Sequence, residues 1–387
     1  MGTQAYFDNA ATSYPKPDEV YEAVERFMRE IGVSSGRGAY RKALEADRII
    51  YETRKSLAEL FSVVDTKRIV FASNATEALN MAMKGILSQG DHVITSQMEH
   101  NAVWRPLKRL ERERGIAVTQ VACSSTGLLE NPGLVQSAIR PNTKLAVITH
   151  ASNVSGAIMP VEEVGEICRQ NGVPLLVDAA QTAGVLPIDV EAMNIDLLAF
   201  TGHKGLLGPQ GTGGLYIREG VHLEPLKEGG TGGDSILETQ PDVLPDRYEA
   251  GTLNAPGLAG LRAGVRFILT KGVPNIEKQE MRLTDYLLAE LKGIDAIRIY
   301  GPQDSTKQVG VVSINIGDHQ PENIGYALDA VYGIMVRTGL HCAPCAHRTI
   351  GTIERGTLRI SLGYFNTKAE IDHLIQSLNQ IAQRAAS

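Results

Sequence analysis

Short apolar runs alternate with helix-length amphipathic segments through the middle of the chain. Several runs are apolar at successive positions, which is typical of strands that are buried on both faces of a sheet. The pattern predicts strands over 68–72, 92–95, 116–121, 145–149, 174–178, 197–201 and 214–217. Helices are predicted between them, for example over 76–87 and 161–171. This alternation indicates an α/β fold in which a mostly parallel sheet lies between helices.

The two ends of the chain carry a different pattern. Helices are predicted before the first strand, over 18–31 and 42–61. After a change of pattern at 252–257, a long helical segment precedes a helix over 322–331 and strands over 309–316, 333–337 and 357–362. A last helix begins at the capping box of Thr367 and Glu370. We predict a large α/β domain over 15–255 and a smaller α+β domain built from 1–14 and 256–387.

Length and charge narrow the classes of protein. The 387 residues are enough for two domains with substantial cores. The net charge of −6, without a basic run, argues against a nucleic-acid or anionic-membrane partner. No apolar stretch approaches the roughly 18 residues of a membrane-spanning helix, and the first residues lack the apolar region of a secretory signal. The four cysteines are too sparse for a disulfide scaffold, so we expect a reducing, cytoplasmic location.

Three short segments carry candidate chemistry. Residues 73–77 follow an apolar strand and begin a helix. They are interpreted either as an anion-binding site or as an ordinary helix cap. Asp178 closes a buried strand, where a cationic ring nitrogen of a ligand or a nearby Lys or Arg would pair with it. Lys204 follows another strand and has a glycine close by on each side. It is interpreted either as a lysine that forms a Schiff base or as a solvated loop lysine. Together, a phosphate site, a carboxylate and a lysine match the requirements of pyridoxal phosphate.

Nine short motifs, spread over nearly the whole chain, match those of a known family in the same order. They are YFDNAATSYP near the start, SNATEALN at 73–80, EHNAVW at 99–104, SNVSG at 152–156, VDAAQ at 177–181, TGHKGLLGPQGTGGLY at 201–216, EAGTLN at 249–254, RTGLHCA at 337–343 and LRISLGYFN at 358–366. The chain thereby resembles the class V aminotransferase family and, within it, the group II cysteine desulfurases and selenocysteine lyases. The resemblance implies the fold type I architecture of pyridoxal phosphate enzymes, with a mostly parallel seven-stranded sheet and a smaller α+β C-terminal domain.

The resemblance also implies cofactor-binding roles. Lys204 would hold pyridoxal phosphate covalently and act in catalysis, Asp178 would pair with the pyridine nitrogen, and His100 would stack over the ring and act in catalysis. The ring hydroxyl would be bound by Asn153 and Gln181. The phosphate would be bound by the backbone amide of Ala75 and by Thr76, Thr201 and His203.

Two further roles concern the partner subunit and the substrate. Thr252 would reach the phosphate in the partner's site, which implies a homodimer. Arg359 would bind the substrate carboxylate bidentately, with Asn153 and Arg337 beside it. The substrate would be a small molecule, cysteine or selenocysteine.

The segment that contains Cys342 distinguishes the reaction from others of the family. In relatives that resemble this chain, the cysteine at this position attacks the substrate sulfur, so the resemblance implies conversion of L-cysteine to L-alanine with a persulfide on Cys342. The sulfur would pass to an acceptor protein for iron–sulfur clusters or thio-cofactors. We expect His341 or Arg337 to lower the pKa of the Cys342 thiol. Selenocysteine lyase activity, another class V reaction with a structural Cys342, and a non-enzymatic thiol or metal module remain alternatives.

Cys345 departs from the family pattern because it forms a C-x-x-C pair with Cys342. It is interpreted either as a buried hydrophobe, as a resolving thiol that forms a reversible disulfide with Cys342, or as part of a metal site with Cys342 and His347. The first interpretation is favoured and the metal site is the weakest, because a zinc site usually has four ligands. No metal is therefore assigned.

Overall fold

A computed structural model of the chain describes residues 4–36, 38–233 and 236–386. The strands are β1 (Ala5–Tyr6), β2 (Ile69–Ala72), β3 (His92–Ser96), β4 (Ala117–Val121), β5 (Thr143–Thr149), β6 (Leu175–Asp178), β7 (Leu197–Thr201), β8 (Gly213–Ile217), β9 (Ile297–Tyr300), β10 (Val311–Ile316), β11 (Ile334–Met335), β12 (Arg337–Gly339) and β13 (Thr357–Ser361). The helices are α1 (Asp18–Arg26), α2 (Arg41–Leu60), α3 (Ala75–Ile86), α4 (Asn101–Arg114), α5 (Gly133–Ala138), α6 (Val161–Gln170), α7 (Ala255–Lys271), α8 (Val273–Lys292), α9 (Pro321–Tyr332), α10 (Pro344–Thr349) and α11 (Lys368–Ala386).

The central element is a seven-stranded sheet in the order β2-β8-β7-β6-β5-β3-β4. The five strands β4, β3, β5, β6 and β7 pair in parallel, while β8 runs antiparallel to both β7 and β2. Every residue of β3, β6, β7 and β8 is buried. Separate apolar clusters form on the two faces of the sheet. The prediction of a mostly parallel sheet between helices is confirmed.

The parallel pairing brings three strand ends to one edge of this sheet. Thr149, the last residue of β5, lies in register with Asp178, the last residue of β6. Asp178 pairs in turn with Ala199 of β7, two residues before Thr201. Ligands of parallel α/β sheets bind outside such carboxyl ends.

A second layer combines the start of the chain with its C-terminal third. The strands β12-β13-β10-β9 form an antiparallel sheet, and β1 pairs in parallel with β11. Their apolar faces share a core with α8, α9 and α11. The division into domains over 15–255 and over 1–14 with 256–387 stays a prediction, and positions 1–3, 37, 234–235 and 387 of it lie outside the described residues.

Some predicted elements differ from those observed. The helix predicted over 18–31 ends as an α-helix at Arg26 and continues as a π-helical turn, Phe27–Ile31. The long helical segment is two helices, α7 and α8, because Gly272 between them has φ +78°. The strand predicted over 333–337 is two strands, β11 and β12. None of the helices within the described ranges is long and apolar enough to cross a membrane.

Candidate active site

A cavity that is open to solvent lies at the strand ends of the large sheet. It is lined by nine of the residues predicted to hold the cofactor: Ala75, Thr76, His100, Asn153, Asp178, Gln181, Thr201, His203 and Lys204. Thr252 is exposed and is not among the lining residues. The parallel register and the N-termini of α3 and α4 therefore bring together residues that are more than a hundred positions apart.

One end of the cavity is suited to an anion. Asn74 caps α3 by accepting a hydrogen bond from the amide of Glu77 at 3.0 Å. The amides of the first helical residues, Ala75 and Thr76, have no partner within the helix and carry its positive dipole end. The hydroxyl of Thr201 and Nδ1 of His203 are buried without a hydrogen-bond partner among the described residues. Phosphate oxygens would satisfy both groups of donors.

Lys204 and Asp178 form the charged centre of the cavity. Asp178 Oδ1 accepts a hydrogen bond from the amide of Ala180 at 2.9 Å. Burial raises the pKa of the Asp178 carboxyl, against the opposing effects of this amide and of Lys204. Burial also lowers the pKa of Lys204 to about 8, although the charge of Asp178 acts the other way. An ionised Asp178 thus needs a cation beside it, and Lys204 loses its proton more readily than an exposed lysine.

His100 is the N-cap of α4, and Nδ1 accepts a hydrogen bond from the amide of Ala102 at 3.0 Å. Burial and then the charge of Lys204 lower the pKa of His100 to about 4. His100 is therefore a neutral imidazole at pH 7, and the bond to Ala102 assigns its proton to Nε2.

Glu99, which was not predicted as a functional residue from the sequence, supports the turn that carries His100. Glu99 Oε1 accepts hydrogen bonds from the hydroxyl of Ser96 at 2.7 Å and from the amide of Thr149 at 3.0 Å. Burial raises the pKa of Glu99 to about 8. A carboxyl that is mostly protonated thus ties the His100 turn to the end of β5. Only the EHNAVW motif would have indicated this residue.

The N-terminal segment crosses over the Lys204 loop. The carbonyl of His203 accepts hydrogen bonds from the amide of Ser13 at 2.9 Å, from the hydroxyl of Thr12 at 3.0 Å and from Lys16 Nζ at 3.3 Å. Burial lowers the pKa of Lys16 to about 8. Gln181 Nε2 donates to the carbonyl of Ala10 at 3.1 Å. These contacts hold the segment that precedes Lys204 in place.

Arg359 is 2% exposed, so it is not a surface arginine. Its Nη1 donates to the carbonyl of Asn153 at 3.0 Å and its Nη2 to Asp8 Oδ1 at 2.7 Å. Asp8 also accepts from Arg337 Nε, with 3.0 Å to Oδ2. Asp8, which was not predicted from the sequence, therefore joins Arg337 to Arg359. The third predicted substrate-binding residue, Asn153, contacts Arg359 through its backbone carbonyl.

Cys342 is the exposed residue of a turn whose backbone bonds to Asn101, at the start of α4, and to Asn153 of the cavity. Its carbonyl accepts the amide of Asn101 at 2.8 Å, and Asn153 Nδ2 donates to the carbonyl of His341 at 2.6 Å. Cys342 is exposed, with φ +58°, and His341 has φ +47°. This left-handed backbone is uncommon for residues other than glycine and asparagine, which marks the turn as a constrained one.

The expectation that His341 or Arg337 activates the thiol is not supported. Burial lowers the pKa of His341 to about 2, so its ring carries no charge at neutral pH. Its Nε2 lies 3.0 Å from the hydroxyl of Thr357. Arg337 pairs with Asp8 at 3.0 Å. The sequence places both residues near Cys342, but it could not show that His341 is neutral or that Arg337 is paired with Asp8.

Cys345 is 5% exposed, and burial raises the pKa of its thiol. Both observations favour the interpretation as a buried hydrophobe. His347 Nδ1 lies 2.6 Å from the hydroxyl of Thr352. Across the described ranges, no three His, Cys, Asp or Glu side chains are grouped so as to hold a metal ion. The metal interpretation of the C-x-x-C pair therefore has no support.

The chain is similar to known proteins over nearly its whole length. The family model for aminotransferase class-V matches residues 5–374. A probable cysteine desulfurase of Methanothermobacter thermautotrophicus is 38% identical, over 97% of this chain and 94% of the relative. A cysteine desulfurase of Yersinia pestis is 32% identical, over 97% of this chain and 93% of the relative.

Solved structures extend the similarity to the fold. The apo structure of a cysteine desulfurase from Thermococcus onnurineus has a TM-score of 0.91 at 34% identity, over 98% of this chain and 95% of the other. The cysteine desulfurase CsdA (S-sulfonic acid) from Escherichia coli has a TM-score of 0.88 at 26% identity, over 98% of this chain and 95% of the other. The chain belongs to the aminotransferase class-V family.

Proposed function

We propose that this chain is a pyridoxal phosphate-dependent cysteine desulfurase, which converts L-cysteine to L-alanine and takes the sulfur onto Cys342. The names of its relatives support the activity. The observation that carries the proposal is the exposed Cys342 thiol on a turn whose backbone bonds to Asn101 and Asn153, at the rim of a cavity containing Lys204.

The cavity residues fit pyridoxal phosphate. Asp178 needs a buried cation, and a protonated pyridine nitrogen would supply one. The unpartnered donors of Thr201 and His203 and the free amides of Ala75 and Thr76 would bind the phosphate. When bound, the cofactor supplies an electron sink for the carbanion formed at the substrate Cα.

The amide side chains would contact the ring hydroxyl. Gln181 and Asn153 each donate one amide hydrogen to a backbone carbonyl. This leaves an amide oxygen and a second N–H of each side chain for the cofactor. His100, neutral and held by Ala102, would stack over the ring with Nε2–H available as a donor.

Lys204 would act both as the attachment point and as the base. As a base, its amine would take the proton from the substrate Cα, and the pKa lowered to about 8 makes the unprotonated amine far more available near neutral pH than that of an exposed lysine. Arg359 would hold the substrate carboxylate through donors not used by Asp8 and Asn153.

Cys342 would act as the nucleophile. Its thiolate attacks the substrate sulfur, so that a sulfur–sulfur bond forms while the bond between the substrate Cβ and sulfur breaks. The electron pair of the broken bond stays on the substrate carbon, which is then protonated to give alanine. Cys342 is left as a persulfide, which a thiol of an acceptor protein would attack.

Alanine and sulfide production from L-cysteine, with a thiol reductant present, tests the proposal. The wild-type protein should release both in equal amounts. Lys204→Ala should lose the visible absorbance of the bound cofactor and all activity. Cys342→Ser should keep the absorbance and lose sulfide release, whereas the matched variant Cys123→Ser should keep both. Undiminished sulfide release by Cys342→Ser would refute the nucleophilic role, and selenocysteine in a parallel assay measures the lyase alternative.

We also propose a homodimer, in which Thr252 binds the phosphate in the partner's site. Its exposure outside the cavity of its own chain supports this placement. Mixing the inactive Lys204→Ala variant with a Thr252→Val variant tests it. In a hybrid dimer, the site that keeps Lys204 receives the intact Thr252 of the other subunit, so the mixture should regain about a quarter to half of the wild-type activity. No restoration on mixing, with subunit exchange verified, would contradict the shared site. The cytoplasmic location stays a prediction.

A further inference from the structure

The turn that carries Cys342 has a backbone conformation that its own residues do not favour. The amide of Ala343 donates to the carbonyl of Leu340 at 2.9 Å, so His341 and Cys342 are the two central residues of a β-turn. Both have a positive φ, of +47° and +58°. Glycine, asparagine and aspartate dominate turns in which both central residues have a positive φ. Other residues keep such a conformation only where the surrounding structure enforces it.

The ring of His341 is anchored by a chain of buried hydroxyl groups. Its Nε2 lies 3.0 Å from the hydroxyl of Thr357 on β13, and that hydroxyl donates to Ser313 Oγ on β10 at 3.1 Å. The hydroxyl of Ser313 donates in turn to the carbonyl of Val154 at 2.7 Å. Thr357 and Ser313 are both 0% exposed, so water does not compete for these bonds.

The direction of each bond in this chain is determined. A carbonyl oxygen only accepts, so Ser313 uses its one hydroxyl proton on Val154, and Thr357 uses its proton on Ser313. Thr357 can then only accept from the ring, which assigns a proton to His341 Nε2. Burial lowers the pKa of His341 to about 2, so the ring is neutral and this is its only N–H.

Two backbone contacts complete the attachment of the turn. Asn153 Nδ2 donates to the carbonyl of His341 at 2.6 Å, and the amide of Asn101 donates to the carbonyl of Cys342 at 2.8 Å. Val154, at the end of the hydroxyl chain, follows Asn153 in the sequence, and Asn153 lines the active-site cavity. The ring and the carbonyl of His341 are therefore both tied to one segment of the cavity wall.

We propose that His341 is a positioning residue for Cys342. Its ring holds the unfavourable turn in a conformation that presents the exposed thiol at the rim of the cavity. It does so through hydrogen bonds and not through charge. The inference rests on the proposed function, in which Cys342 attacks the substrate sulfur. Loss of the anchor should therefore slow this attack and leave the removal of the Cα proton by Lys204 unchanged, since that step does not involve the thiol.

Two measurements on the holoenzyme separate these steps. The first turnover with L-cysteine, quenched without a thiol reductant, forms one alanine per site and reports the attack by Cys342. Exchange of the Cα proton of L-alanine in heavy water, followed by NMR, requires Lys204 but not Cys342. His341→Phe keeps an aromatic ring and removes the donor. It should slow the first turnover by about 10- to 100-fold, as misplacement of a reacting atom by about 1 Å does, and leave the exchange rate within about twofold.

Conservative variants distinguish the hydrogen bond from the bulk of the side chain. His341→Gln keeps an N–H near the position of Nε2, so its first turnover should recover to within about fivefold of wild type. Thr357→Val removes the acceptor at nearly constant shape and should slow the first turnover as His341→Phe does, whereas Thr357→Ser keeps the hydroxyl and should not. The double variant of His341→Phe and Thr357→Val should be no slower than either single variant, because both break the same contact.

Thr352→Val is the matched control. It removes a similar bond, 2.6 Å from His347 Nδ1, in the segment that follows the turn. Because this bond does not hold the ring of His341, the first turnover should stay within about twofold of wild type.

An unchanged first turnover in both His341→Phe and Thr357→Val would overturn the inference. Equal losses of the first turnover and of Cα exchange would also overturn it, because they indicate damage to the whole cavity. So would an equal loss in Thr352→Val, which indicates loosening of the whole segment. A wild-type protein that formed no alanine from L-cysteine would instead refute the proposed function, so the two failures are distinguishable.

Discussion

A buried ion pair anchors the segment that carries Thr252. Arg54 donates to Glu249 from Nη1 at 2.7 Å and from Nη2 at 2.9 Å, and the two side chains are 7% and 6% exposed. Glu249 Oε1 also accepts the amide of Phe71 at 2.6 Å. The Arg54 guanidinium lies 4.3 Å from the centroid of the Phe71 ring. Replacement of Glu249 would leave a cation and an amide buried without their acceptor.

We expect Glu249→Gln to lower the free energy of unfolding by about 3 kcal/mol and Glu249→Ala by about 5 kcal/mol, the usual range for breaking a buried ion pair. Glutamine keeps an oxygen for the Phe71 amide, whereas alanine also orphans that amide, at about 1–3 kcal/mol. Urea titration followed by circular dichroism measures the change, provided that the m value stays constant.

The matched control is Glu30→Gln. Glu30 pairs with Arg26 at 3.1 Å, but the two side chains are 64% and 68% exposed. An exposed pair contributes at most about 1 kcal/mol. The reasoning is refuted if Glu249→Gln lies within about 0.5 kcal/mol of wild type, or if Glu30→Gln is destabilised to the same degree.

Three further predictions concern other sites. Burial raises the pKa of Glu280 to about 8, so the folded state binds more protons than the unfolded state between pH 4.5 and 8, and stability falls as the pH rises through that window. Glu280→Gln should therefore raise the free energy of unfolding by roughly 2–4 kcal/mol at pH 8.5, and by nothing at pH 4, in urea titrations; an equal gain at both pH values would contradict this. Cys345→Ala should keep sulfide release within about twofold and cost about 1 kcal/mol of stability, as loss of a small buried side chain does; a Cys342–Cys345 disulfide in mass spectra after mild oxidation would instead support a resolving thiol. Arg359→Lys should raise KM for cysteine about tenfold with a smaller effect on kcat, because lysine keeps the charge and loses the planar fork; steady-state kinetics with an unchanged KM would exclude Arg359 from substrate binding.

The sequence predicts the large sheet well and the edges of the small one poorly. The segment 197–201 is a continuous apolar run and matches β7 at both ends. The strand β9 was not predicted, because its residues are half-buried or exposed and carry no clear alternation. The two residues of β1 pair with β11, more than three hundred positions away, and no local signal specifies such a contact.

The same distinction applies to the site. Lys204, Asp178 and Cys342 belong to motifs whose residue types indicate their chemistry. Asp8 and Glu99 act through contacts that only tertiary structure creates, such as the bond from Arg359 across 351 positions of sequence. Charge state also escapes the sequence, since the neutrality of His341 follows from its burial.

The pairing of Asp8 with Arg359 has a consequence for the order in which the protein is made. A ribosome delivers Asp8 351 positions before Arg359, so β1 and Asp8 have no partners while the chain between them is being made. The residues that line the cavity, from Asn74 to Lys204, emerge much earlier. The segments that line the cavity are therefore synthesised before Arg359 can reach Asp8, and this ion pair forms only when β13 has folded back beside the segment that follows β1.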